Sequence, residues 1–549
     1  MQLNTNLIPE YVSRVTNTLE KGGFEAYLVG GCVRDLILER TPKDWDVTTN
    51  AKPEQIIALF EKTVYENTFG TVAVCVPRET PDPAGLPYIE DVGYVSPETS
   101  NYGGQTSVVT RETSNNYTST TCVAEETPKE TVLREKYDIV EVTPYRIEGK
   151  YDDFRHPNEV LFSETLAEDL KRRDFTINAI AMDSIGQIID LHNGLSDISY
   201  KTLKTVGSAD ARYKEDALRM LRAVRFAVQL NFSISDENTE SIFKNANLIK
   251  KISQERIRDE FSKIIMSKTP AMGITLLQKL NLLKHIISEL EEGIGCDQFG
   301  AHIYDVWNHS LYALQHAADK NWPLEIRLAA LFHDIGKPRT RRLSQATSLT
   351  PPYKAKKTYS FYGHDVVSAK MAQKIMERIK FPKKEIDLVE KLVRNHMFFS
   401  DTEKITLSAV RRIIAKIGKE NIWLLMNLRE CDRVGTNKKA ISYRLRQYFG
   451  MIEEALHDPI SLNQLKIDGT FLIKELNMKP SPRMGFILNS LLEEILEDPE
   501  KNTVDYLKNK TLELDKLSDQ ELKELGDKAK TTKENLEKEE VKKLHGKHL

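Results

Sequence analysis

Two groups of residues in this chain have the types and spacing to do phosphate chemistry. The first begins at Gly30-Gly31-Cys32-Val33-Arg34-Asp35. Two glycines let a backbone approach a ligand closely, and Arg34 adds a charged donor one turn on, so the segment reads as a phosphate cradle or as a simple turn. Asp44 and Asp46 follow, flanking Trp45. On a strand, residues i and i+2 share a face. Two such carboxylates repel unless a cation lies between them, and Mg²⁺ suits those oxygens and bridges to phosphates. The alternative is two solvated acids on an edge strand. Glu141, in IVEV (139–142), supplies a third carboxylate from a neighbouring strand or stands as an exposed strand acid. Arg172 and Arg173 open RRDFTIN, where Glu168 and Asp169 are local partners. In EDALRMLRAVR, helical spacing puts Asp216 and Arg219 on one face, with Arg222 and Arg225 continuing the stripe. That pair is either an intrahelical ion pair or an acceptor/donor edge able to pair with a nucleobase.

The second group is His309, His333-Asp334, His364, His396 and Asp432. Neutral imidazoles and carboxylates suit Mn, Fe, Ni, Zn or Mg ions, and a bound metal activates water against a phosphoester. Each histidine alone reads as a surface or helix-capping residue; the ordered set reads as a centre.

The elements that must position these groups can be read from periodicity. Residues 8–21, 32–39 and 52–62 read as helices; 26–31, 44–50, 71–76 and 137–146 read as strands. Helical spacing covers 166–182, 213–230 and 255–266, and helical blocks fill 300–440 and 441–500. Residues 78–135 are rich in Thr, Ser, Glu, Pro and Asn with sparse apolar residues. They read as a flexible insertion, or as a site for a private partner. Residues 500–549 are packed with Lys and Glu and read as a solvated helix or a disordered extension. The basic stretches 245–263 and 404–419 are RNA-binding candidates or solvated faces. The basic segment 341–360 either contacts substrate phosphate or is a solvated loop.

Composition sets the frame. The 549 residues, at ~150 per domain, suggest three or four domains. With 78 Lys plus Arg against 81 Asp plus Glu the formal charge is −3, which excludes a globally basic nucleic-acid binder and leaves only local patches. Five scattered cysteines without a C-x-x-C pair argue against a thiolate zinc site and a disulfide framework. The N-terminus carries no signal-peptide pattern, and no apolar run reaches the ~18 residues needed to span a bilayer. The reading is a soluble, cytoplasmic, multidomain protein.

GGCVRD, DWD, RRDFTIN and EDALRMLRAVRF, in this order and spacing over roughly residues 1–300, resemble the signature series of class II tRNA nucleotidyltransferases and bacterial poly(A) polymerases. The resemblance implies an α+β fold: a small antiparallel-sheet head, a helical neck and body, and a helical tail. It implies template-free addition of CMP and AMP to tRNA 3′ ends from CTP and ATP. Gly30, Gly31 and Arg34 match the triphosphate-binding motif, and Asp44 and Asp46 the Mg²⁺-binding carboxylates. Glu141 resembles the acid of the third strand. Arg173 matches the nucleotide-contacting arginine, Asp216 and Arg219 the base-reading pair, and Arg222 and Arg225 the trailing contacts. KYDDFRHPNEV (150–160) resembles the family's flexible loop needed for A-addition; Arg155, His156 and Pro157 are retained, and Phe154 replaces a small residue. The H…HD…H…H…D series resembles the HD superfamily of metal-dependent phosphohydrolases. There His309, His333, Asp334 and Asp432 match the core ligands, and His364 and His396 those of two-metal members, binding a divalent transition metal or Mg²⁺. The expected division is a head at 1–200, neck and body at 201–298, an HD domain at 299–440 and a tail at 441–549. Two other functions remain open: a poly(A) polymerase or A-adding enzyme on the same scaffold, and an HD phosphohydrolase with a nucleotide-sensing head.

Overall fold

The computed structural model describes residues 2–66, 70–78, 106–110, 136–148, 160–298, 303–347, 355–397, 405–435, 443–522 and 525. They form two compact units: Met1–Glu260 with Lys279–His285, and Phe261–Gln278 with Ile286–Leu549. Arg155 and the rest of the 150–159 loop lie outside the described residues, as does the chain beyond Leu525.

The first unit is built on an eight-stranded sheet. Its strands are β1 (Ala26–Val29), β2 (Asp46–Thr49), β3 (Lys62–Glu66), β4 (Thr71–Pro77), β5 (Thr106–Thr110), β6 (Tyr137–Pro144), β9 (Ile180–Met182) and β10 (Ile188–Asp190). A separate hairpin joins β7 (Arg146–Glu148) to β8 (Val160–Phe162). The spatial order is β10-β9-β1-β2-β6-β4-β3-β5. All neighbours are antiparallel except β2 and β6, because β3 and β4 intervene in the chain before β6 returns beside β2. Valines suit the pleated surface, and Val29, Val47, Val72, Val74, Val140 and Val142 are buried in it. Helix Glu10–Lys21 closes over the core with Val12, Val15 and Leu19, one apolar stripe.

Three expectations change. Within 78–135, residues 106–110 are not featureless: the β-branched run TSVVT pairs with β3 as β5. The helical pattern at 166–182 stops after Lys171, and its second half is strand β9 between β1 and β10. The stop is chemical: the Asp174 carboxylate accepts from Phe175 N and Asn178 Nδ2, turning the chain out of the helix. The third concerns 213–230, which is two helices, Ala209–Glu215 and Leu218–Leu230, broken at Asp216 with φ −137°.

The second helix docks through the same turn. Arg222 Nε donates to Asp174 Oδ2 at 2.8 Å, and Phe226 meets Phe175 edge-on with centroids 5.7 Å apart. The second unit is helical. Helices Val306–Asp319, Leu324–Phe332, His364–Arg378, Lys383–Asn395 and Ile422–Asp432 carry the histidine-rich block. A further apolar core, including Leu472, Ile487, Leu491, Ile495 and Leu507, organises the C-terminal helices, so part of the charged tail is packed: helix Val504–Leu514 buries Leu507 and Leu514.

Asp174 makes this docking testable. Burial would raise its pKa, but Arg222 overrides that and holds it at about 2. A carboxylate depressed in the fold stabilises it above the unfolded pKa, and the benefit disappears as pH falls through the folded one. Asp174→Asn is therefore expected to lose about 2 kcal/mol at neutral pH relative to the native chain, the gap narrowing between about pH 4 and pH 2. Denaturant melts across that range check it; a gap constant with pH would contradict it.

Candidate functional site

In the first unit the predicted residues converge at one end of the central strands. Gly30 ends β1 with φ +83° and ψ −130°, a backbone that L side chains rarely adopt. A Cβ here would lie 3.1 Å from Arg173 Nη1, so the end of that side chain would have to give slightly, and 3.6 Å from Asp46 Oδ2, an ordinary contact. The turn, the acid and the arginine thus share one small volume. Arg34 is buried; its Nη1 donates to Asn178 Oδ1 at 2.7 Å, and Nε and Nη2 donate to Asp35.

Asp46 opens β2, and Asp44 lies just before the strand rather than on it. The two acids still feel each other. Burial raises the Asp46 pKa, Arg173 opposes the rise and Asp44 adds to it. In the parallel register Asp46 faces Glu141, which puts the third carboxylate beside the first. Asp46 opens β2, Asp44 precedes it and Glu141 lies within β6; among the described residues these three acids are not drawn into one tight ligand group as the acids and histidines of the second unit are.

Arg173 is held by the acid predicted for it. Asp169 is fully buried and accepts from Arg172 Nη2 at 2.6 Å, Arg173 Nη2 at 3.1 Å and Thr48 Oγ1 at 3.2 Å. Burial pushes the Asp169 pKa up, and the two guanidiniums bring it below the usual carboxylate range.

The expected Asp216–Arg219 edge is arranged differently. The helix break removes the shared face, and each residue takes another partner. Asp216 Oδ2 accepts from Arg256 Nη2 at 2.8 Å, while Arg219 Nη1 donates to Glu215 Oε2 at 2.8 Å. Arg222 is tied to Asp174 and Arg225 to Glu260 at 3.2 Å. Arg34, Arg222 and Arg225 all lie over the Phe226 ring, at 5.4, 5.4 and 4.3 Å from its centroid. Arg256 and Glu260 lie in no motif read from the sequence, and only their partners Asp216 and Arg225 reveal them; Phe226 closes the EDALRMLRAVRF motif but was assigned no role there.

The second unit brings its whole predicted set together. His309 and His333 lie with Nε2 atoms 3.1 Å apart. Asp334 Oδ2 is 3.3 Å from both, and Asp432 Oδ1 is 3.5 and 3.6 Å from them. On the other oxygen, Asp334 Oδ1 is 3.3 Å from His364 Nε2 and 3.7 Å from His396 Nε2. Potential ligand atoms thus form two groups, His309/His333/Asp334/Asp432 and Asp334/His364/His396, sharing one carboxylate.

The hydrogen bonds prepare the donors. His333, His364 and His396 each place Nδ1 2.7–2.8 Å from a backbone carbonyl, of Ala330, Phe361 and Val393. This fixes the tautomer that leaves the Nε2 lone pair facing the centre. Asp334 Oδ1, His364 Nε2 and His396 Nε2 are buried without a hydrogen-bond partner. Burial opposes charge on His333, yet Asp334 and Asp432 lift its pKa to about 10, so the centre favours a cation. At His396, burial and the neighbouring histidines push the pKa down to about 3, keeping a neutral ligand. The residue that sequence reasoning missed is Lys337. Buried one turn after Asp334, it donates to Asp334 Oδ2 and Gln298 Oε1, both at 2.6 Å.

Among the described residues no helix is long and apolar enough to cross a membrane. Three family models match the chain. The poly A polymerase head domain covers residues 26–84 and 101–204. The probable RNA and SrmB-binding site of polymerase A covers 231–294, and the HD domain covers 306–430. The CCA-adding enzyme of Lactobacillus delbrueckii subsp. bulgaricus is 40% identical over 255 residues, 46% of this chain and 50% of that protein. That of Streptococcus uberis is 28% identical over 503 residues, 89% of this chain and 93% of that one. With the first of these curated relatives, the matched part of the chain spans about half their length. Among solved structures, the Bacillus stearothermophilus CCA-adding enzyme in complex with CTP has a TM-score of 0.61 at 22% identity, covering 92% of this chain and 98% of that one. A further complex of a CCA-adding enzyme with CTP has a TM-score of 0.52 at 14% identity, covering 93% and 97%. At these identities the structures establish the fold.

Two predictions follow the geometry. Gly30→Ala is expected to cost about 1–3 kcal/mol through its backbone conformation and to push Arg173 from its place; melts and nucleotide binding check it, and unchanged nucleotide affinity would contradict it. In the second unit, elemental analysis after loading with Mn²⁺ is expected to give two tightly held ions per chain. His364→Ala is expected to leave one and Asp334→Asn none; full occupancy in Asp334→Asn would contradict a shared ligand.

Proposed function

We propose, for a chain that belongs to the family built on the poly A polymerase head domain, that it adds C, C and A to tRNA 3′ ends from CTP and ATP without a template. The observation that carries this reading is the convergence of Gly30, Asp46 and Arg173 around one point, with Glu141 in register beside Asp46. In this reading residues 1–200 are the catalytic head, 201–298 the neck and body, 299–440 the HD domain and 441–549 the tail.

Asp44 and Asp46 would hold Mg²⁺, with Glu141 orienting them, and the metal would supply Lewis acidity to an in-line attack of the RNA 3′-hydroxyl on the α-phosphate, with pyrophosphate leaving. The chain's own groups do the rest. Gly30 and Gly31 let the triphosphate approach the backbone, and Arg34 faces it from the first turn. Arg173, fixed by Asp169, offsets negative charge on the nucleotide. Asp216 and Arg219 present an acceptor and a donor to the base edge. Arg256 and Glu215 orient them in place of the direct pairing that one continuous helix would give. Arg222 and Arg225 are held by Asp174 and Glu260 and line the nucleotide side.

The second centre supports a separate activity, metal-dependent hydrolysis of phosphoesters. The observation favouring it is a pair of ligand groups sharing Asp334, with three imidazoles pre-set by backbone carbonyls. These residues would hold a divalent metal, which would supply activation of water against the phosphoester.

The test uses purified protein, Mg²⁺ and tRNA transcripts ending before CCA, after C and after CC, with CTP, ATP or both. The expected product is a three-nucleotide extension that needs both nucleotides. Asp46→Asn is expected to reduce incorporation by more than about 100-fold, leaving metal content of the second centre unchanged. Addition of A to the CC end alone would replace the proposal with an A-adding enzyme. Long A tails would replace it with a poly(A) polymerase. Absence of extension would leave the head as a nucleotide sensor.

A further inference from the structure

Three motifs of the first unit meet at one aromatic ring. Phe226 lies on the helix Leu218–Leu230 and is 7% exposed. From its own helix it takes Arg222, one turn before it, and its neighbour Arg225, whose guanidinium carbons lie 5.4 and 4.3 Å from the ring centroid. Arg34 comes from the helix Gly31–Ile37 that follows the glycine turn, and its guanidinium carbon lies 5.4 Å from the same centroid. The turn after Arg173 contributes Phe175, whose ring meets Phe226 at 83° with centroids 5.7 Å apart. One side chain thus joins the phosphate-cradle helix, the RRDFTIN turn and the arginine stripe.

Three like charges around one point repel. Each has a carboxylate: Arg34 has Asp35, Arg222 has Asp174 and Arg225 has Glu260. The crowding is still felt, because burial and then Arg222 push the Arg225 pKa down to about 10, and Arg34 adds to the effect. Further carboxylates would neutralise the cluster and occupy its N–H groups. An aromatic face attracts a guanidinium through its quadrupole and need take no N–H in a conventional hydrogen bond, most effectively where water is excluded. Arg225 Nε is buried without a hydrogen-bond partner among the described residues, so the cluster keeps a donor unspent. Phe226 is also the one aromatic on its helix; the other buried apolar positions there are Leu, Val, Ala and Met. Packing at this helix is otherwise met by aliphatic chains, and the ring stands where the arginines converge.

We propose that Phe226 is a positioning residue for the nucleotide's triphosphate: its face holds the guanidiniums of Arg34, Arg222 and Arg225 around one point and leaves their remaining N–H donors for the phosphates. The proposal rests on the nucleotide-binding reading of the head and adds what sets the geometry of its arginines. The ring serves the cradle and the stripe together, whereas the base edge is read by Asp216 and Arg219. Its loss therefore weakens CTP and ATP alike and spares nucleotides that lack the phosphate chain.

The test uses the full-length chain and three variants. Phe226→Leu keeps apolar bulk, Phe226→Tyr keeps the ring, and Phe226→pentafluorophenylalanine keeps the shape and reverses the charge of the face. Dissociation constants for CTP, ATP, CMP and AMP are measured by calorimetry with Mg²⁺, beside melting temperatures and the kinetics of extending a tRNA that ends in CC. Phe226→Leu is expected to weaken CTP and ATP at least about tenfold and CMP and AMP less than about twofold. KM for ATP in the extension rises in step, while kcat moves less than about threefold. The tyrosine variant restores the triphosphate affinity, and the pentafluoro variant behaves as the leucine one, which decides the matter if Phe226→Leu fails to fold. Equal weakening of mono- and triphosphates would overturn the proposal. So would native triphosphate affinity in the pentafluoro variant, or a tyrosine variant no better than leucine. If the native protein binds CTP and ATP but extends no tRNA, the transferase reading alone falls, and the ratio of binding constants still decides the role of the ring. A native protein that binds CTP no more tightly than CMP overturns it.

Discussion

The position of one guanidinium organises the first unit. Arg173 must stand close enough to Asp46 to moderate its charge, yet not collapse onto it. Asp169 sets that distance: fully buried, it takes Arg173 on one oxygen and Arg172 on the other, and Thr48 anchors it to the sheet. A buried carboxylate is costly unless charge and hydrogen bonds compensate it, and here two arginines do. Position 30 suits glycine for its positive φ, and a side chain there would also crowd the end of Arg173. The strand order then follows as well. Glu141 can join the acids only if β6 lies beside β2, which forces the single parallel pair in an otherwise antiparallel sheet.

The second unit solves a related problem with opposite means. Its acids are gathered in the interior, and the counter-charge comes from imidazoles, from Lys337 on Asp334 and from Arg429 on Asp432. Histidine can be neutral, so it can donate a lone pair to a cation where arginine cannot. The imidazoles separate the two clusters: the first is lined by guanidiniums that stay charged, the second by rings whose Nε2 atoms can carry a lone pair. Asp334 divides its two oxygens between the two groups of ligands. Its place beside His333 in the sequence therefore sets the spacing of the whole centre.

Motif order made much of both sites legible. Gly30, Asp46 and Glu141 could be placed from a glycine turn and strand spacing, whereas Arg173, read within a helical stretch with Asp169 as a local partner, was singled out by the resemblance; the four histidines and two aspartates of the second unit were readable as an ordered set. The rest was hidden for physical reasons. Helical spacing ran straight through Asp216, but its backbone is extended and its carboxylate caps Leu218 N and binds Arg256, so the side-by-side pairing with Arg219 did not survive. Apolar spacing through 166–182 read as helix; Thr176–Asn178 is a short 3-10 turn, and partners β1 and β10 make Ile180–Met182 a strand. Arg256, Glu260, Gln298 and Lys337 act through contacts between elements, which no local pattern records. Residue 155 and most of the 78–135 insertion fall outside the described residues.

The charge distribution links these observations. With a formal charge of −3 the chain has no general attraction for anions, so any cationic site must be local. In the first unit Arg34 and Arg225 are buried and Arg222 is half-buried, and each is paired: Arg34 with Asp35, Arg222 with Asp174, Arg225 with Glu260. In the second, Lys337 is paired with Asp334 and Arg429 with Asp432. A cation held by a carboxylate has a fixed direction and acts at short range, well inside a Debye length of about 8 Å at physiological salt. Both units thus trade reach for direction: their charged groups are set in place by their own carboxylate partners, which suits recognition of one defined group at one point.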